Sequence, residues 1–243
     1  MRIEEIRKLA NTIEGWLTDK EGELLFNLAK NCTSENGVVE KSVIVEIGSW
    51  KGKSTIWLGI GSKLGGKLKI YSIDPHKGHK HRPETIETFE EFKRNIRKAD
   101  IDDIITPIVK TSEEAAKGFD KPIKLIFIDG NHEYDYVKLD VDLWFPKVMD
   151  GGIIAFHDTA SGNRWKGPKK VVKELIFTSK KLRNVKFVNS ITIVEKVKRA
   201  SVKDRLMNRY TLFLKDVYEF TNKLSLPQPM KTIGKRLIKQ YTQ

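Results

Sequence analysis

The sequence predicts one doubly wound α/β domain with a mostly parallel, seven-stranded sheet, helices on both faces and a C-terminal helical appendage. Three observations predict it. Apolar runs of strand length alternate with helical patterns from Val43 onward, the signature of repeated βαβ units. Most runs are continuously apolar, as strands covered on both faces must be. The first run also passes through a glycine turn directly into a helix start.

The expected strands are Val43–Ile47, Leu68–Ile73, Ile104–Val109, Ile123–Ile128, Gly151–Phe156, Val185–Asn189 and Ile191–Glu195. The last two, joined around Asn189-Ser190, read as a hairpin that brings one antiparallel strand into the sheet. Upstream, Thr18-Asp19-Lys20-Glu21 is a capping box, which starts a helix that buries Leu24, Leu25 and Leu28. Phe89, Phe92 and Ile96 recur at helical spacing. Pro168 suits the first turn of a helix running through Val172, Leu175 and Ile176. These stripes are core and carry no chemistry.

A chain of 243 residues holds one such domain, expected over residues 1–197, and a basic amphipathic helical extension over 198–243. In the extension Leu206, Tyr210, Phe213, Leu214, Val217, Phe220, Thr221 and Leu224 fall mostly on one stripe, followed by the break Leu226-Pro227-Gln228-Pro229. Net charge is +13, unevenly placed: residues 198–243 carry eleven Lys/Arg against three Asp/Glu, a net +8, which leaves +5 for the rest. Charge confined to a tail points to an accessory contact rather than to a nucleic-acid substrate for the whole domain. No apolar run approaches the ~20 residues of a membrane span. The first residues, MRIEEIRKLANTIEGWL, lack the apolar region of a signal peptide, and with Cys32 as the single cysteine no internal disulfide is expected. A cytoplasmic protein follows, with a membrane-peripheral position for the tail as an alternative.

The chemistry concentrates in the turn Glu46-Ile47-Gly48-Ser49-Trp50-Lys51-Gly52-Lys53-Ser54. A nucleotide phosphate loop needs four residues between its first glycine and the Gly-Lys-Ser/Thr; Gly48 and Gly52 are separated by three, too few to surround a phosphate. A dinucleotide G-x-G-x-x-G is also absent, because Gly59-Ile60-Gly61 lies within the following helix. The spacing Glu46-x-Gly48-x-x-x-Gly52-x-Ser54 resembles instead the first motif of class I S-adenosylmethionine-dependent methyltransferases. Glycine at 48 would let the backbone approach the methionine part of the cofactor, and Gly52 would start the helix against it. At the end of the next strand, Tyr71-Ser72-Ile73-Asp74 places a carboxylate where a ribose would accept hydrogen bonds. Ser112, in Thr111-Ser112-Glu113-Glu114, fits an adenine contact and equally a helix N-cap. The expected cofactor-binding set is Glu46, Gly48, Ser49, Trp50, Gly52, Ser54, Asp74, Ser112 and Asp129.

Farther on, Asp129-Gly130-Asn131-His132-Glu133-Tyr134 is followed at helical length by Gly151-Gly152-Ile153-Ile154-Ala155-Phe156-His157-Asp158-Thr159. With the first motif this resembles the group containing the macrolide and sugar O-methyltransferases and the cephalosporin hydroxylase-like proteins, over about residues 18 to 196. It is also similar to the catechol and caffeoyl-coenzyme A O-methyltransferases. The resemblance implies a Rossmann-like methyltransferase sheet, S-adenosylmethionine as donor, and a hydroxyl of a small molecule or glycan as acceptor. It implies a divalent metal (Mg, Mn or Zn) held by Asp129, His157 and Asp158, the imidazole being a departure that suits a softer metal than Mg²⁺. It gives His132 the place of the general base, expected mostly neutral near pH 7, with Asp129 and Asp158 orienting the hydroxyl. The run His76-Lys77-Gly78-His79-Lys80-His81-Arg82 reads as a basic loop beside the substrate.

Alternatives from other classes are an RNA methyltransferase, favoured by charge, and a non-enzymatic binding protein on the same scaffold. Against the first, no Asn/Asp-Pro-Pro-aromatic motif is present and Cys32 lies upstream of the cofactor turn. A homo-oligomer, an anionic membrane surface or nucleic acid are the partners expected for the tail. The acceptor depends on loops such as Ser161 to Gly167.

Overall fold

The protein's computed structural model describes residues 1–32, 42–77, 87–160 and 165–223. His79, His81, the loop from Ser161 to Arg164, Leu224 and the break at Leu226-Pro229 lie outside the described residues.

Two helices, α1 (Ile3–Ala10) and α2 (Asp19–Lys30), precede β1 (Val43–Ile47). There follow α3 (Lys53–Leu64), β2 (Ile70–Ile73), α4 (Phe89–Lys98), β3 (Ile105–Ile108), α5 (Ser112–Lys117), β4 (Ile123–Ile128) and α6 (Tyr134–Trp144). The chain continues through β5 (Val148–Phe156), α7 (Gly167–Thr178), β6 (Leu182–Val188), β7 (Ile191–Lys196) and α8 (Val202–Lys223). The strands form one sheet in the order β3-β2-β1-β4-β5-β7-β6. All neighbouring pairs from β3 to β5 are parallel, and β7 alone runs antiparallel to its neighbours β5 and β6.

Successive strand residues point to opposite faces, and the core divides accordingly. Ile44, Leu125 and Phe127 pack with Leu25, Trp57 and Phe92 of α2, α3 and α4. Val45, Ile47, Ile126 and Ile128 pack with Val137, Val141 and Trp144 of α6, and with Val172 and Ile176 of α7. This two-sided burial is why the strands read as nearly continuous apolar runs, with Glu46 in β1 and Lys124 in β4 as the polar exceptions. The expected bounds of β1 and β4 hold. β5 starts earlier than expected because it bends through Gly151 (φ +77°) and shifts register against β4, so polar Asp150 interrupts the run without ending the strand. β6 likewise starts at Leu182, since exposed Arg183 and Asn184 hide its first turn of pairing from a reading of hydrophobicity.

α8 lies against β6 and α7. Asn208 donates to the Leu182 carbonyl (2.8 Å) and accepts from the Val185 amide (3.3 Å), and Lys169 of α7 reaches Asp216 (2.5 Å) and Glu219 (2.9 Å). Lys215 is buried, donating to the Thr159 carbonyl (3.0 Å) and to the hydroxyls of Thr159 (2.6 Å) and Thr192 (2.7 Å). One face of this helix is therefore part of the core. No helix among the described residues is long and apolar enough to cross a membrane.

Candidate active site

β1 and β4 are central neighbours, so the loops at their carboxyl ends meet at the edge of the sheet, where ligands of open α/β sheets bind. Gly48 leaves β1 at φ +83°, and a Cβ there would lie 2.1 Å from the Asp129 carbonyl oxygen. The backbone approach that demands glycine is thus to the end of β4 itself. The sequence expectation gave this glycine an approach to the cofactor; the approach to β4 is a second demand on the same residue. Gly52, at φ +92°, is the N-cap of α3, and its amide closes the turn on the Ser49 carbonyl at 2.7 Å.

Glu46 is fully buried beneath this turn. Its Oε1 accepts from Ser54 (2.6 Å), and its Oε2 accepts from Thr55 (2.6 Å) and from Ser72. Three hydroxyls from α3 and β2 thereby tie both elements to β1. Of the expected cofactor set, Glu46 and Ser54 bond to each other beneath the turn. Burial pushes the Glu46 pKa up to about 7 from 4.5, against the pull of Ser54, Ser72 and Thr55. A carboxylate raised on folding stabilises most below its unfolded pKa. Stability should therefore fall as pH rises from about 4.5 to about 7, by about 3 kcal/mol from this group. Thermal melts of Glu46→Gln should lose that slope; an unchanged pH profile would place the titration elsewhere.

Asp74, at the end of β2, accepts from the amides of Ser49 (2.9 Å), Trp50 (2.8 Å) and His76 (2.7 Å). It fixes the turn while its side chain keeps 14% of its surface exposed. Ser49 and Trp50 (φ +48°) are thereby held over β2, and the Ser49 hydroxyl and Trp50 indole N–H are buried without a hydrogen-bond partner among the described residues. His76 is buried between Phe89 and Phe92 and bonded to the Thr88 hydroxyl at 2.9 Å; burial lowers its pKa, opposed by Asp74. At α5 the N-cap is Thr111, in a capping box with Glu114, not Ser112. Ser112 begins the helix and accepts from the Trp144 indole at 2.8 Å.

The second motif pair comes together. Asp129 follows β4, His132 precedes α6, and His157 and Asp158 follow β5, with Asp158 at φ +55°. His132 Nε2 lies 2.7 Å from Asp158 Oδ2 and 3.5 Å from Asp129 Oδ1. His157 Nδ1 lies 3.0 Å from Asp129 Oδ1 and 3.5 Å from Asp158 Oδ2. Ligand atoms of Asp129, His132 and Asp158 all fall within 4.8 Å of one another. Of the expected metal set, Asp129 and Asp158 lie in this cluster with His132, while His157 is buried against the same two carboxylates. Behind His157 stands Glu21, itself buried, with Oε2 3.8 Å from His157 Nε2.

The charges of this cluster hold one another. Burial disfavours the His132 cation, yet Asp129 and Asp158 outweigh it and raise its pKa to about 9. His157 is raised well above the usual histidine range, its burial overcome by Asp129, Asp158 and Glu21. Asp158 falls far below the usual carboxylate range, because His132 and His157 more than offset its burial. Glu21, despite its burial, is lowered to about 2 through His157, Ser190 and Thr18. Without a metal His132 is therefore a cation near pH 7, whereas the sequence expectation had it neutral.

Sequence reasoning missed three residues. Glu21 serves in its capping box and also accepts from the Ser190 amide (2.9 Å) and hydroxyl (2.6 Å), a double role no spacing reveals. Trp165 stacks on His132, with centroids 5.7 Å apart and planes 22° apart. Lys215 holds Thr159, the neighbour of Asp158, from a helix far along the chain.

Residues 45–159 match the family model described as "Methyltransferase domain". Solved structures share the fold at low identity. An O-methyltransferase from Bacillus cereus in complex with S-adenosylhomocysteine is 18% identical, with 80% of this chain and 90% of that chain covered at a TM-score of 0.56. The S-adenosylhomocysteine-bound Podospora anserina methyltransferase PaMTH1 is 15% identical over 80% and 87%, TM-score 0.59. A Clostridium thermocellum protein described as a putative rRNA methylase is 16% identical over 76% and 100%, TM-score 0.55. The matched residues span the turn, Asp74 and the Asp129–Asp158 cluster, so the segment that holds the site is similar to the methyltransferase domain family, and the chain shares the fold of these methyltransferases.

Proposed function

We propose that the enzyme transfers the methyl group of S-adenosylmethionine to a hydroxyl of a small molecule or sugar, at a site made by the Gly48–Gly52 turn, Asp74 and the cluster Asp129, His132 and Asp158. The observation that carries the reading is the cluster, two carboxylates and an open imidazole gathered at the sheet edge beside the turn. Methyl transfer to oxygen needs an aligned acceptor and a place for its proton, and this cluster offers both. The Bacillus cereus O-methyltransferase of the same fold, described as an S-adenosylhomocysteine complex, supports it.

The residues fit the donor. The buried Ser49 hydroxyl and Trp50 indole have polar atoms left over, and Asp74 retains exposed carboxylate surface at the ribose position. When bound, S-adenosylmethionine supplies an electrophilic methyl on a sulfonium. The chain's own tasks are then to hold the ribose at Asp74, to orient the acceptor hydroxyl on Asp129 and Asp158, and to take its proton at His132 Nε2 in the neutral form of that imidazole, whose share grows as pH rises toward about 9. Trp165 keeps His132 in plane through stacking.

The cluster also fits a divalent cation. One imidazole nitrogen and two carboxylate oxygens within 4.8 Å are a donor set for such an ion, and it would supply a positive charge that favours the acceptor's alkoxide. His157 and Glu21 would then orient the ligands from behind. The test is transfer of labelled methyl from S-adenosylmethionine to a panel of hydroxylated small molecules and sugars, before and after chelation. Activity should be lost on chelation and restored by Mn²⁺ or Zn²⁺ at least as well as by Mg²⁺, because of the imidazole. Full activity after exhaustive chelation would leave the three residues to orient the hydroxyl unaided. Label found only on added RNA would favour the second reading, nucleic-acid methylation, which net charge supports.

We assign the catalytic domain to residues 1–197 and treat 198–243 as its basic extension. A cytoplasmic setting agrees with Cys32 as a free, buried thiol.

A further inference from the structure

α8 has two faces of opposite use. Asn208, Thr211, Leu212 and Lys215 are buried against β6, β7 and the end of β5. At about 100° per residue the opposite side carries Val202, Leu206, Phe213, Val217 and Phe220. Their exposures are 63%, 60%, 60%, 41% and 63%, so among the described residues the apolar stripe is uncovered. An apolar row of this length on a soluble surface marks an interaction site.

The charges around the stripe select its occupant. The acids of α8 are engaged elsewhere: Asp216 and Glu219 on Lys169, and Asp204 on the Ser201 amide (2.9 Å) and hydroxyl (2.7 Å) at the helix start. Lys203 flanks the stripe on one side and Arg209 on the other, and the twenty residues that follow the helix in sequence add four Lys/Arg and no Asp or Glu. A second copy would bring two such cationic rims together. An anionic surface would neutralise them.

We propose that the outer face of α8 is a docking site for an anionic membrane surface. The apolar row enters the boundary between headgroups and acyl chains, and the basic residues flanking the row draw this face to the lipid phosphates. Lys215 on the inner face holds Thr159, so docking sets the Asp158 loop about one helix diameter, ~10 Å, from the lipid.

The experiment is co-sedimentation of the full chain with vesicles of phosphatidylcholine alone or with added phosphatidylglycerol, at low and high salt. Wild type should sediment only with the anionic vesicles, and less at high salt. Phe213→Glu/Phe220→Glu alters two exposed side chains and should lose most of that sedimentation. Its thermal transition and S-adenosylmethionine binding should be unchanged. Four results would overturn the proposal: no sedimentation of wild type; equal sedimentation of the double variant; binding to RNA but not to vesicles; or a wild-type dimer, indifferent to vesicles, that the double variant converts to monomer in light scattering.

Discussion

Gly48→Val should both destabilise the enzyme and abolish its binding of S-adenosylmethionine. A Cβ at residue 48 would stand 2.1 Å from the Asp129 carbonyl oxygen, 2.6 Å from its carbon and 2.9 Å from Gly130 Cα, all backbone of the central strand pair. A left-handed φ of +83° adds strain for a β-branched residue. Neither strand can yield, since β1 is paired on both sides and the Asp129 amide donates to the Ile47 carbonyl at 2.8 Å. The loss should be on the order of 3 kcal/mol or more, read as a fall in Tm of roughly 6–12 °C for a chain of this size. Gly48→Ala should show a smaller fall and still bind weakly. If Gly48→Val melts and binds like wild type, β1 and β4 do not approach as described.

The second large effect belongs to His132. His132→Ala should lower methyl transfer by about 10²–10⁴-fold while leaving S-adenosylmethionine affinity within a few-fold of wild type, because His132 touches Asp129 and Asp158 and not the cofactor turn. Glu21→Gln should behave differently. Glu21 reaches the cluster only through His157 at 3.8 Å, so its loss should cost about 10–100-fold in activity, as groups that orient ligands do. Single-turnover rates with labelled donor separate the two. Equal, small losses would make His132 a structural residue.

The fold was legible because its core is two-sided. Val43–Ile47 and Ile123–Ile128 are buried almost throughout, so hydrophobicity interrupted only at Glu46 and Lys124 marked their ends to the residue. Strands with polar interruptions, at Asp150 and at Arg183-Asn184, lost their first residues for the same reason. In the site, the motifs and the resemblance they carry named every residue of the cluster, but not which histidine stands with the two carboxylates at its open side. His157 and Asp158 are consecutive, and only one of two consecutive residues leaving a strand faces outward, which offset alone does not decide. Glu21 was hidden by its success as a capping residue. The partners of α8 were invisible because Lys215 and Thr159 lie 56 residues apart.

The account rests on a donor site at the turn and Asp74, and calorimetry with S-adenosylmethionine tests it most directly. Wild type should bind one equivalent with a clear heat. Asp74→Ala should weaken binding by at least about tenfold, since it removes hydrogen bonds to a charged acceptor worth ~1.5–3 kcal/mol and frees the Ser49 and Trp50 amides. No binding heat for the wild type, or equal affinity in Asp74→Ala, would contradict it.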